Sequence, residues 1–163
     1  MRLFFAVWPP AATARALADW ARAAARESGG SATAEEKIHL TLAFLGEAKA
    51  QKALAAARRV HAKKFNLRLD QAVYWQRNRI VWAGPQQAPP ELLTMAETLQ
   101  RELYREEFIL EQRAFAAHIT LVRKAPAPGR LPELPILQWP VNEFVLVRSI
   151  SGRYEPLERF PIA

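Results

Sequence analysis

Ile38-His39-Leu40-Thr41-Leu42 and Ala117-His118-Ile119-Thr120-Leu121 are one pattern written twice. Each runs His, aliphatic, Thr, Leu, and the two histidines lie 79 residues apart in a chain of 163. One motif per half marks an approximate internal duplication. In a strand, side chains alternate between faces, so His39 and Thr41 point one way while Leu40, Leu42 and Phe44 point the other. The same alternation sets His118 and Thr120 against Ile119 and Leu121. Each strand is expected to bury its aliphatic side and present an imidazole and a hydroxyl about 6.6 Å apart. If the halves are related by a pseudo-two-fold, the two polar faces are expected to converge on one cleft.

The segments around the motifs decide the fold class. Residues 2–8 read as an apolar strand, and Ala11–Glu27 as a helix with Leu17, Trp20, Ala21 and Ala24 on one face. Gly29-Gly30 ends it. Lys37–Leu45 is strand-like, Ala48–Lys64 helical, and Phe65, Leu67 and Leu69 alternate with polar residues. Val73–Trp75 and Ile80–Trp82 flank Gln76-Arg77-Asn78-Arg79 as a hairpin. Glu91–Glu107 has helical spacing, and Ala114–Val122 is a further strand. The proline-rich stretch 125–140 reads as a loop, and Phe144–Val147 and Arg153–Leu157 close the chain as strands. Mixed elements without a regular βαβ repeat predict an α+β domain over residues 1–163 with antiparallel sheet.

Composition narrows the chemistry. Half of the residues are hydrophobic and 24% are charged, as in ordinary globular proteins. No apolar run is long enough to span a bilayer, so no membrane partner is expected. Without cysteine the chain has no disulfide, thiolate zinc site or thiol nucleophile; a cytoplasmic location is expected. The net charge of +7 favours an anionic partner. Arginine outnumbers lysine 17 to 6, and its planar fork suits phosphate. Asp19 and Asp70 are the only aspartates, and no carboxylate cluster accompanies a histidine, a poor supply for a two-metal phosphoesterase. Two motif histidines without an acidic third ligand also argue against zinc. No glycine-rich phosphate loop is present.

Two imidazoles, two hydroxyls and a cation suit phosphodiester chemistry without metal or cofactor. One neutral histidine can take a proton from water while the other, protonated, gives one to the leaving ribose oxygen. The residues alone do not say which does which. Thr41 and Thr120 can donate to phosphate oxygens, and Arg123, at the end of the second motif strand, can neutralise charge. His61 reads as an ordinary surface residue. Trp8, Tyr74, Trp75 and Trp82 read as core aromatics, with base stacking as the alternative.

The paired His-x-Thr motifs resemble those of the two-histidine phosphoesterases, specifically the LigT-like RNA 2′,3′-cyclic phosphodiesterases. Arg2–Ala6 is similar to that family's opening strand, His39–Glu47 to its first signature, and Trp75–Gly84 to its central hairpin. His118–Arg123 is similar to its second signature, and Phe144–Phe160 to its final strands. The family often has Pro before the second histidine; this chain has Ala117. The resemblance implies a bilobal α+β fold, two pseudo-symmetric antiparallel-sheet lobes with helices outside and a central cleft. It implies hydrolysis of RNA or nucleotide 2′,3′-cyclic phosphates to 2′-phosphates, with weak 2′–5′ RNA ligase activity as a companion. His39 would be the proton donor and His118 the acceptor; Thr41, Thr120 and Arg123 would hold the phosphate. No cofactor, metal or obligate protein partner is implied. The competing expectation is a module of the same fold that binds an AMP-like nucleotide without turning it over.

Overall fold

The computed structural model describes residues 1–111 and 114–163. Ten strands and three helices succeed one another as β1 (Arg2–Val7), α1 (Ala11–Ser28), β2 (Ser31–Ala32), β3 (Leu40–Glu47) and α2 (Ala50–Arg58). Then come β4 (Phe65–Leu69), β5 (Gln71–Trp75), β6 (Ile80–Gly84), α3 (Pro90–Arg105), β7 (Ile119–Arg123), β8 (Leu137–Val141), β9 (Glu143–Ile150) and β10 (Arg153–Pro161). Eight strands form one antiparallel sheet in the order β10-β9-β1-β3-β7-β6-β5, with β2 beside β7. β4 and β8 make a separate two-stranded sheet. The α+β class is therefore as read. The two halves share that sheet, joined where β3 meets β7 through the single pair Leu40–Ile119.

Each element follows from local chemistry. Leu17, Ala18, Ala21 and Ala24 place the apolar stripe of α1 in the core. Gly29 ends α1 in the left-handed conformation, φ 78°, and its N–H bonds the Ala25 carbonyl at 2.9 Å. Gly30 must be glycine for another reason: a Cβ there would stand 2.6 Å from the Arg123 carbonyl oxygen. That close approach lets Ser31 pair with Arg123 and fixes the end of β7. Leu40 and Ile119 are fully buried with Leu17, Leu92 and Leu99, so the helices cover the aliphatic face of the sheet. The opposite face carries the histidines.

Two expectations are corrected by long-range bonding. The second helix stops at Arg58 rather than Lys64, because the Lys64 N–H bonds the Ala163 carbonyl and the Ala163 N–H bonds the Ala62 carbonyl. Those residues are held by the chain's end and cannot continue the helical ladder. Inside the proline-rich stretch, β8 forms at Leu137–Val141 and pairs Trp139 with Leu67. Pro140 is tolerated there because the two-stranded sheet has only edge strands.

Candidate active site

The histidines lie one residue before their strands, not inside them, yet the alternation holds across that boundary. Continuing the antiparallel register from Leu40–Ile119 sets His39 across from Thr120 and Thr41 across from His118. Two His and two Thr thus form a chequered square on the face opposite the core. The neighbouring strands extend its rows. Ala6 pairs with Thr41 on one side, and Trp82 pairs with Thr120 on the other.

Both imidazoles are anchored alike. His39 Nδ1 lies 2.7 Å from the Lys37 carbonyl oxygen, and His118 Nδ1 lies 2.8 Å from that of Ala116. A carbonyl only accepts, so each Nδ1 carries a proton and Nε2 is the basic nitrogen of the neutral ring. His39 Nε2 accepts from the Thr41 hydroxyl at 3.0 Å. The aromatic surroundings differ. His39 stacks on Trp8 at 4.9 Å and lies 5.1 Å from Phe4 and 5.4 Å, edge-on, from Tyr154. His118 lies 4.9 Å from Trp75 and 6.0 Å from Trp82. Burial in the first of these boxes lowers His39 from 6.5 to about 4, with Arg123 and His118 pushing the same way against the Lys37 hydrogen bond. Beyond Trp8 and Tyr154 the same face has a hollow of about 340 Å³, lined also by Val145, Val147 and Arg159.

Strict alternation fails at one place in each motif, and the failure builds the site. Phe5 pairs with Ala43 but Ala6 pairs with Thr41, leaving Leu42 as an extra residue in β3. Val81 pairs with Val122 but Trp82 pairs with Thr120, leaving Leu121 extra in β7. Each bulge reverses the parity of the strand residues beyond it. Phe44, expected in the core, is instead 57% exposed and stacked on Phe4, which lies beside His39. Arg123 is brought to the Thr120 side by the same device and acts electrostatically on His39. The structure therefore gathers His39, His118, Thr41, Thr120 and Arg123, while His61 is exposed elsewhere.

Of the aromatics read as core, only Tyr74 joins the main cluster, with its hydroxyl donating to the Ala125 carbonyl at 2.8 Å. Trp8, Trp75 and Trp82 belong to the histidine face. Phe4 and Tyr154 were not legible as site residues, since their place depends on the β1-β9-β10 register, which pairs Arg2 and Tyr154 with the same Ser149. No group of three or more His, Asp or Glu suited to a metal ion occurs among the described residues.

The LigT-like phosphoesterase family profile matches residues 7–82. Relatives extend the match over the other half. The RNA 2′,3′-cyclic phosphodiesterase of Escherichia coli (strain K12) is 36% identical over 170 residues, 99% of this chain and 96% of that protein. This chain belongs to the LigT-like phosphoesterases. The RNA 2′,3′-cyclic phosphodiesterase of Thermus thermophilus is also 36% identical, over 99% of this chain and 90% of its own. The crystal structure of E. coli LigT complexed with NADP+ superposes with a TM-score of 0.89 at 35% identity, covering 99% and 97% of the two chains. The alignments to these LigT-like relatives, both named as RNA 2′,3′-cyclic phosphodiesterases, run over 99% of this chain.

Proposed function

We propose that this chain hydrolyses RNA 2′,3′-cyclic phosphate ends to 2′-phosphates, with His118 as proton acceptor and His39 as proton donor. The chequered square carries the reading, because two imidazoles and two hydroxyls share one face of the sheet, and these are the acid, base and donor groups that a phosphodiester displacement uses. His118 Nε2 takes a proton from water, and the water oxygen attacks phosphorus. The bond from phosphorus to O3′ breaks, and His39 Nε2–H protonates that oxygen, leaving a 2′-phosphate and a free 3′-hydroxyl. Thr41, Thr120 and Arg123 hold the non-bridging oxygens. A 5′-hydroxyl in place of water gives 2′–5′ joining by the same step.

The different surroundings of the two histidines support the assignment of roles. The leaving ribose stays attached to its base, so the donor belongs beside a surface that accepts a nucleoside. His39 has that surface in Trp8, Tyr154 and the hollow behind them. His39 rests neutral, and a bound phosphate anion supplies the counter-charge that lets it hold a proton. The NADP+ of the E. coli LigT complex contains an adenosine 2′-phosphate, the same grouping that this reaction leaves.

The experiment is phosphorus NMR of the product from adenosine 2′,3′-cyclic phosphate in excess EDTA. The expected product is the 2′-phosphate at an undiminished rate. A 3′-phosphate refutes the placement of His39 beside O3′. Tight nucleotide binding with no turnover replaces the reading with that of a binding module. Activity abolished by EDTA and restored by a divalent ion refutes the metal-free mechanism.

A further inference from the structure

Trp82 is 7% exposed, and its Nε1 is the one buried side-chain polar atom without a hydrogen-bond partner among the described residues. A buried donor left unpaired costs free energy, so its persistence asks for an acceptor in the working protein. Trp82 joins neither hydrophobic cluster, and its counterpart across the pseudo-two-fold is Ala6, which faces Thr41 as Trp82 faces Thr120. Gly84 makes the room: a Cβ there would stand 2.8 Å from Cζ3 and 3.3 Å from Cε3 of the indole. With that edge against Gly84, the opposite edge, which carries Nε1, faces back along β6, where Val81 pairs with Val122, the neighbour of Arg123.

We propose that Trp82 Nε1–H donates a hydrogen bond to a phosphate oxygen of the substrate, beside Thr120 and Arg123. The inference rests on the phosphodiesterase reading for its substrate, and it makes the two halves of the square unequal. The half with Trp82 and Arg123 supplies donors to the anion, while the half with Phe4, Trp8 and Phe44 supplies apolar surface to the nucleoside. Entry of the phosphate tilts aside the half-buried Trp75 ring, whose centre lies 4.9 Å from that of Trp82.

The test is calorimetric binding of inorganic phosphate to wild type and Trp82→Phe, with the melting temperature of each ligand-free protein. The expected result is an affinity lowered about tenfold, together with a melting temperature unchanged or raised, because an unpaired buried donor has been removed. Affinity within twofold of wild type overturns the inference, as does failure of the wild type to bind phosphate. If Trp82→Phe does not fold, β-(3-benzothienyl)alanine at position 82 keeps the bicycle and replaces only N–H by sulfur. The same two outcomes are then read from it. Turnover of the cyclic nucleotide is measured separately, so phosphate binding that depends on Trp82 in a protein without turnover refutes the activity and leaves this inference standing.

Discussion

Acidification should unfold this protein partly through one side chain. His39 titrates at about 4 in the folded chain because burial disfavours its cation, whereas an unfolded chain holds the ordinary value of 6.5. As the pH falls below 6.5, the unfolded state takes the proton first. The stability that His39 contributes is therefore complete above pH 6.5, is lost as the pH falls to about 4, and changes no further below that. The whole interval corresponds to about 3 kcal/mol, of which about 2.5 kcal/mol is lost by pH 4.5. Urea unfolding of wild type and His39→Gln at pH 7 and 4.5 isolates it, since all other groups titrate in both proteins. Wild type should lose about 2.5 kcal/mol more than the variant between these pH values. Parallel losses refute the claim that burial holds His39 neutral. The functional counterpart is an NMR titration of the His39 ring, whose midpoint should rise when inorganic phosphate is added.

Two further outcomes test the site. His39→Ala and His118→Ala should each slow single-turnover hydrolysis by about 10² to 10⁴, and the double variant should fall little below the worse single one. A folded single variant with near-wild-type rate refutes the mechanism. Arg123→Ala should raise KM and lower kcat, and Arg123→Lys should recover only part, because it restores the charge without the fork. Unchanged kinetics in Arg123→Ala would make it a solvated strand end.

The limits of the sequence reading lie where bonding is long-range. Phe65, Leu67 and Leu69 alternate with polar neighbours because one side of β4 faces the core, and that pattern survives intact in the structure. The hairpin of β5 and β6 is likewise local, and its register pairs Trp75 with Ile80 as the spacing suggests. The stretch after Arg58 carries on the helical rhythm of α2, but Ala62 and Lys64 bond to Ala163 at the far end of the chain. β8 shows the same thing in reverse: five prolines in residues 125–140 argue for a loop, and only the presence of β4 makes a strand of its last residues.

The sequence by itself determined the class of fold, the two His-x-Thr strands and the face on which each His and Thr would stand. A repeated motif and a period of two are local facts, and hydrophobic burial enforces them wherever the strands pair. Tertiary structure decided the rest. Leu42 and Leu121 become bulges only because β1 and β6 offer them no partner, and that lack is a property of neighbouring strands rather than of the motif. Those two bulge residues lead to the exposure of Phe44 and the turning of Arg123 towards the side of Thr120. The Trp8–Tyr154 box around His39 has the same origin, since it joins residues from opposite ends of the chain through a register that no local pattern encodes.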